Sequence, residues 1–466
     1  VDVIVGNPPF LGDKKMRGEL GDEYVNALRK LYEGRVPGGA DLVCYWYEKA
    51  RTHIEQGKAK RAGLLATNSI RDGSSNKVLQ SIKKTGDIFM AWSDRDWILN
   101  GAAVRVSMVG FDNGAESKRV LDGQTVGVIN SDLTAKIDVN ATTALSENSG
   151  LCFLGMMKAG PFDIDAKTAQ EMLMATNASS KSNRDVVKPR MNGQDITGKP
   201  SNTWIIDFGV STSEQEASLY EMPFKYVYTH VKPVRDNNRD ERMNINWWLY
   251  GRPRPNLREA IQNLKRCIVT PEVAKHRIFV WLDTNIIPDH TLHVVARDDD
   301  YMFGVLHSHV HEVWSLSIGS WMGKGNDPRY SSSRTFENFP FPWSPGQEDI
   351  GSAEYAAIAA AAKCLHEERA AWLNPPGASE KDLKDRTLTN LYNALNVWRG
   401  KEKMKVKDAA GDFAPRLDEL HTALDRAVVA AYGWPEAVLA DEEDILRRLL
   451  ALNLERAARQ GADTEA

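Results

Sequence analysis

Val3-Ile4-Val5-Gly6 runs directly into Asn7-Pro8-Pro9-Phe10, and no other junction in the chain so narrows what can be built around it. The apolar run has the length and β-branched content of a short buried strand. Two consecutive prolines lack the amide hydrogens that a sheet ladder needs, and each confines the residue before it to extended backbone. The strand must therefore stop there, and the chain must leave it in a stiff, extended turn. In an open α/β sheet the carboxyl edge of the strands is where ligands bind. The turn brings to that edge an amide side chain (Asn7), a backbone carbonyl (Pro8) and an aromatic ring (Phe10).

An amide oxygen and a carbonyl together accept both hydrogens of an exocyclic amine, while a ring stacks on a flat heterocycle. The set suits the amino group of a nucleobase turned out of its stack. The tripeptide alone is also an ordinary turn. Asn374-Pro375-Pro376-Gly377 repeats it between two helical patterns, with no strand before and no aromatic after.

Beyond the tetrapeptide, helical and strand patterns alternate. Their spacing predicts a helix near Asp22 to Tyr32, a helix from Ala40 to Ile54 with Asp41 as N-cap, and a strand from Arg61 to Ile70. A helix over Asn76 to Lys84 and strands at Ile88–Trp92 and Val104–Phe111 complete residues 1–115, with residues 116–150 as a polar connection. Strand, helix, strand, helix, strand, strand is the second half of a doubly wound sheet closing in a hairpin. Trp92 and Trp97 fit a core or surface place there better than the wall of a base pocket.

A second domain is expected over 151–343, with a helix at Ala166–Ala175 and a strand at Trp204–Phe208. From Phe224 to Trp281 lysine and arginine outnumber the acids by about two to one, in a chain whose net charge is −4. Tyr226, Tyr228, Trp247, Trp248, Tyr250, Phe279 and Trp281 are interleaved with them. Basic groups among aromatics are the footprint of a polyanion-binding surface, although a solvated charged face has the same composition. Lys232, Arg235, Arg239, Arg252, Arg254, Lys275 and Arg277, with Arg329 further on, are the candidates for contact. Residues 344–466 read as helices at Glu354–Trp372, Leu383–Val397, Leu417–Tyr432 and Glu442–Arg459. The fold class expected is α/β plus α+β: a partial Rossmann-like sheet, a mixed domain, then a helical region.

Length allows two to four domains. The four cysteines are scattered, so neither a disulfide framework nor a zinc site is suggested, and a reducing, cytoplasmic setting is expected. His290, His293, His307, His309 and His311 lack convincing metal partners and read as structural or surface groups. No apolar stretch approaches the length of a membrane span.

Taken together these pieces resemble the class I, S-adenosylmethionine-dependent DNA adenine-N6 methyltransferases, and among them the MmeI-like type IIG restriction–modification and phage-defence methylases. Asn7-Pro8-Pro9-Phe10 matches the family's Asn/Asp-Pro-Pro-aromatic motif. Asp41 to Ala50, Leu64 to Ser69 and Val104 to Phe111 resemble its following helix and strands. Trp204 to Phe208, Lys275-His276-Arg277, the Tyr301 to Trp314 helix and Thr335 to Pro342 resemble its target-recognition domain. The resemblance implies double-stranded DNA as partner, S-adenosylmethionine as cofactor and base flipping. It also implies that Asn7 and the Pro8 carbonyl hold the adenine amine while Phe10 stacks on the base. Further subunits of a restriction or defence system are compatible with it. The family's strand and glycine-rich turn for the cofactor are not found, so the main cofactor pocket is expected upstream of Val1, with Asp41 as a candidate on this side. Two alternatives stay open: a DNA-binding specificity fragment without chemistry, and a methyltransferase acting on a protein glutamine amide.

Overall fold

The computed structural model describes residues 2–99, 102–135, 139–238, 240–322 and 327–465. The chain is mixed α/β and divides into two units, Val1–Ala141 and Thr142–Ala466; segments 151–343 and 344–466 both fall in the second.

In the first unit, β1 (Val3–Gly6) is followed by helices α1 (Asp13–Leu20), α2 (Asp22–Leu31) and α3 (Val43–Glu55) before β2 (Arg61–Thr67). Helix α4 (Gly73–Thr85), β3 (Asp87–Leu99) and β4 (Ala102–Asp112) come next, then the short β5 (Arg119–Leu121) and β6 (Gln124–Val126). The sheet runs β1-β2-β4-β3-β5-β6. β1 and β2 are parallel, Gly6 facing Leu64, whereas β4 lies antiparallel to both β2 and β3. Alternation decides the faces. Ala62, Leu64 and Ala66 turn into a core with Tyr47, Ile54, Val78, Leu79, Ile82 and Phe111. The other face carries Val3 and Val5, 48 % and 80 % exposed. Gly86 lets the turn between α4 and β3 pass against the end of β4, where a Cβ would meet the Asp112 carbonyl at 2.0 Å.

The second unit holds β7 (Cys152–Leu154), β8 (Asp163–Ile164), α5 (Ala166–Met174), β9 (Val187–Met191), α6 (Gly193–Thr197) and β10 (Trp204–Ile206). Short helices come after them: α7 (Glu214–Ser218), α8 (Glu221–His230), α9 (Lys232–Asp236), α10 (Glu241–Ile245) and α11 (Pro255–Ile261). Then come β11 (Arg266–Pro271), β12 (Val280–Asp283), β13 (Ile287–Pro288), β14 (Leu292–Val295), α12 (Asp300–His307), α13 (His309–Ile318), β15 (Ser320–Met322) and β16 (Asp327–Arg329). The tail is helical: α14 (Ala353–Leu373), α15 (Glu380–Leu383), α16 (Leu388–Trp398), α17 (Asp408–Ala431) and α18 (Glu442–Glu465). Two four-stranded sheets, β13-β9-β10-β8 and β12-β11-β14-β7, and the β15-β16 pair carry this unit.

Several expectations need correcting. The chain from 13 to 20 is helical, and 119–126 adds two strands to the sheet where a plain connection was expected. Asp41 does not cap α3: Leu42 holds the N-cap position without a side-chain bond. The helix expected over 301–314 is two helices, because the Ser308 hydroxyl donates to Val305 and accepts the His311 amide, ending one and starting the next. The Asn374-Pro375-Pro376 repeat lies between α14 and α15.

The tail packs on α12 with little clearance. A Cβ at Gly304 would meet Ile358 at 2.8 Å, Ala362 at 2.9 Å and Leu424 at 3.1 Å. Beside this contact lies a polar interior. Arg369, 2 % exposed, donates to the Phe279 carbonyl (2.7 Å), the Tyr392 hydroxyl (3.1 Å) and His307 (3.0 Å). Tyr392 also bonds His421 at 3.0 Å. Burial, reinforced by the neighbouring arginines, pushes His293, His311 and His421 down to about 3 and His307 well below its ordinary value.

An unfolded histidine titrates near 6.5, so between that pH and about 3 the unfolded chain takes up protons that the folded one refuses. Stability is therefore complete above pH 6.5 and lost as the pH falls through this window, at about 1.4 kcal/mol per pH unit for each such histidine. Two groups work in the opposite direction: burial pushes His309 down but the Glu312 carboxylate lifts it above its usual value, and burial pushes the Asp425 carboxyl up to about 6, so two opposing groups stand against the four histidines. The net expectation is a urea midpoint, followed by tryptophan fluorescence, that drops markedly from pH 7 to pH 5. A midpoint that stays level would contradict the burial of neutral imidazoles.

Candidate functional site

Because β1 and β2 are parallel, their carboxyl ends share one edge of the sheet, and the tetrapeptide leaves from it. Asn7 and Pro9 are exposed, Pro8 is buried and Phe10 partly buried. Among the described residues no group bonds the Asn7 amide or the Pro8 carbonyl. The turn is nonetheless held. Immediately after Phe10, the Leu11 carbonyl accepts the Leu42 amide at 2.9 Å. Asp41 accepts the Asp13 amide (3.1 Å) with one carboxylate oxygen and the Ser69 hydroxyl (2.6 Å) with the other. Ser69 in turn contacts Thr67, the last residue of β2, at 2.6 Å. Asp41 thus ties the tetrapeptide turn to the end of the neighbouring strand. β3 and β4 continue past the final β2 pair, Thr67–Val106; Arg95 lies level with that pair, opposite Val106, and Asp96 and Trp97 lie beyond it. Trp92 lies under the Arg95 guanidinium, 4.0 Å from its ring.

S-Adenosylmethionine was expected from the sequence. Among the described residues of this unit no strand leads through a glycine-rich turn into a helix with an acidic residue for a ribose, and both Asp41 oxygens are engaged. The edge presents two unbonded acceptors, the Asn7 side-chain oxygen and the Pro8 carbonyl, and the side chains present do not by themselves compose a cofactor site.

The eight cations expected to meet a polyanion have separate fates. Arg235 is fully buried and donates to the carbonyls of Lys158 (2.8 Å) and Leu249 (3.1 Å). Arg277, 6 % exposed, donates to Thr270 (3.1 Å), Pro271 (2.7 Å) and Pro328 (3.0 Å). Both guanidinium groups face inward, which corrects their assignment to a contact surface: their donors hold backbone. Arg239 lies outside the described residues. Lys232 pairs with Asp236 at 2.9 Å, and Arg254, in left-handed backbone at φ 55°, donates to Gly155. Arg252 is exposed, with no side-chain partner among the described residues. Lys275 bonds Asn393 (2.8 Å) and Glu402 (2.7 Å), and Arg329 pairs with Glu272 at 2.7 Å.

Lys275 and Glu272 border a groove of about 470 Å³ that sequence reasoning missed. Its floor is the Arg190–Asp289 pair at 2.8 Å; burial pushes the Asp289 carboxyl up, but the Arg190 bond and charge hold it below its ordinary value. One wall is the start of α6, where the Asn192 oxygen caps Gln194 and Asp195 and the Gly193 amide donates to Thr291 at 2.9 Å. The other is the segment 272–278. Gln194 is exposed and its side-chain amide is unbonded among the described residues, while His290 is 44 % exposed beside Asp289. Such a mixture of donors, acceptors and cations suits a partner that presents hydrogen-bonding edges. In the sequence, only the capping pattern Asn192-Gly193-Gln194-Asp195 hints at one wall.

Comparison with known proteins bears on both regions. Residues 2–122 match a family model described as MmeI, DNA-methyltransferase domain, and residues 162–343 match one described as MmeI, target recognition domain. DNA methyltransferase A of Bacillus subtilis (strain 168) is 21 % identical over 361 residues, covering 73 % of this chain and 39 % of that protein. The solved structure of the type IIL restriction–modification enzyme MmeI in complex with DNA is 18 % identical, with a TM-score of 0.72 over 98 % of this chain and 57 % of that one. The chain spans less than two thirds of the length of either protein, and at this identity the structural likeness shows the fold alone.

Asp41→Ala removes the acceptor for Asp13 and Ser69. It should lower the stability of the first unit by about 1–3 kcal/mol in chemical denaturation and speed hydrogen exchange at residues 11–15. Unchanged stability and exchange would show that Asp41 does not hold the turn.

Proposed function

The chain belongs to the MmeI-like DNA methyltransferases that carry a target recognition domain, and from that premise we propose that its gene product methylates adenine N6 at a specific site in duplex DNA. The observation that carries this reading is the pair of uncommitted acceptors at the carboxyl edge of β1, the Asn7 amide and the Pro8 carbonyl, beside the partly buried Phe10 ring. In the proposed role the two oxygens each accept one hydrogen of the adenine amine and so turn its lone pair away from both. Phe10 stacks on a base rotated out of the duplex. Alignment of this kind, without a covalent intermediate, supplies rate through positioning. S-Adenosylmethionine supplies the methyl group in such chemistry.

The groove bounded by α6 and segment 272–278 is the surface we assign to reading base edges, with exposed Arg252 as a candidate phosphate contact. A restriction–modification or phage-defence setting accords with the family. A protein glutamine amide offers the same two hydrogens to Asn7 and Pro8, but the match to a target recognition domain supports DNA as the substrate.

Two measurements test the proposal. Binding of this chain to a duplex should weaken steeply with salt, as counterion release requires, and absent or salt-insensitive binding would remove DNA as partner. In the gene product, Asn7→Ala should reduce methylation of adenine by at least about a hundredfold while duplex affinity stays within about twofold. Full turnover in that variant would show the site to be misassigned.

A further inference from the structure

The groove has a third boundary. Thr389 of α16 lines it, although α16 lies in the helical tail, far along the chain from both walls. The Thr389 hydroxyl donates to the Thr197 carbonyl at the end of α6, at 2.8 Å. One turn further on the same helix face, the Asn393 side-chain oxygen accepts Lys275 and bonds His276, both at 2.8 Å. Thr389 thus holds the α6 wall and Asn393 the wall formed by segment 272–278.

The rest of α16 leaves it little freedom to shift. Tyr392 is wedged between Arg369, His307 and His421 in the polar interior. Asn396 donates to Glu402 at 3.0 Å, and the other oxygen of Glu402 accepts Lys275. The wall it grips is itself pinned at both ends, by Arg277 to Thr270, Pro271 and Pro328, and by Arg369 to the Phe279 carbonyl. Between these ends Glu272 to His276 line the groove, and Asn393 bonds Lys275 and His276 there.

We propose that α16 sets the width of the groove, and that Thr389 and Asn393 are positioning residues for the selection of DNA sequence. The proposal rests on the assignment of the groove to base reading. Neither side chain need touch a base. Reading hydrogen-bond patterns on base edges requires the reading groups to be held within about 0.5 Å, and a wall freed from its strut no longer meets that tolerance. Removing the Asn393 oxygen leaves the buried His276 ring nitrogen unpaired and leaves Lys275 to Glu402 and the Met404 sulfur.

The test uses the whole chain, a duplex library randomised over a central segment, and sequencing of the bound fraction. The wild-type protein should enrich a motif. Asn393→Ala should flatten the preference at a subset of its positions by about tenfold, while affinity for an unselected duplex and its salt dependence stay within about twofold. Asn393→Asp, which keeps an acceptor for Lys275 and His276, should restore the preference. Thr389→Val, which keeps the shape and removes the hydroxyl, should flatten it independently of any folding defect in the Asn393 variants. Unaltered preference in both Asn393→Ala and Thr389→Val would overturn the proposal and leave the groove assignment standing. So would a loss of all binding together with a lowered melting temperature in every variant, Asn393→Asp included. A wild-type chain that enriches no motif would overturn the groove assignment and the proposal with it.

Discussion

A guanidinium taken out of water costs several kcal/mol unless its donors are met, and the larger unit places Arg235, Arg277 and Arg369 at 0 %, 6 % and 2 % exposure. None of the three forms a carboxylate pair among the described residues; carbonyls, the Tyr392 and Thr270 hydroxyls and a neutral histidine accept from them, while Arg235 Nε and Nη1 and Arg277 Nε are left without a hydrogen-bond partner there. Carbonyls are fixed by the backbone, so each arginine requires one particular course of the chain around it. Arg277 binds segments 270–271 and 328, and Arg369 joins α14 to the start of β12 through Phe279. The neighbouring histidines must stay uncharged for this to hold, since protonation would set like charges together in a medium that screens them poorly. The acid sensitivity expected of the unit and the fixed position of its groove wall share this origin.

The smaller unit depends on a different kind of constraint. Its tetrapeptide is stiff by covalent structure, and three interactions from Leu42 and Asp41 place it: two amide bonds and the Ser69 hydroxyl. Nothing in the described residues satisfies Asn7 itself. A polar side chain left exposed and unbonded on a well-held turn contributes little to stability and is open to a partner, as the proposed role of Asn7 requires.

Legibility in the sequence was local. A β-branched run stopped by two prolines announces a strand and its end within eight residues, and helical periodicity located α3, α4, α14 and α18. Direction was illegible where long side chains were concerned. Counting lysines and arginines from 224 to 281 could not tell Arg235, whose head turns inward to carbonyls 77 and 14 residues away, from exposed Arg252. Asp41 looked like a helix cap because caps are read from adjacent residues, whereas its partners lie 28 residues away on either side. The groove was hidden for the same reason. Its walls come from segments about 80 residues apart and its strut from a third, so no window of sequence contains it.

The proposed choice of an amine over a carbonyl at the catalytic edge turns on which acceptor can rotate. An unbonded amide can present either its oxygen or its nitrogen, so Asn7 alone would accept adenine N6 and equally well donate to guanine O6 or thymine O4. The Pro8 carbonyl has no such freedom. It is an acceptor only, and Pro9 holds Pro8 in extended backbone, which fixes where that carbonyl points. A base offering a carbonyl there would set two acceptors against each other in a partly desolvated site, an arrangement that costs the unmet hydrogen bond as well as the repulsion. Cytosine N4 also offers an amine, so a clamp of the proposed kind would select amines as a class. The choice of adenine then falls to ring shape against Phe10 and to the sequence in which the base is embedded. In the proposed role the second proline therefore does more than end a strand: by immobilising the carbonyl before it, it would turn an ambiguous amide into part of a directional clamp.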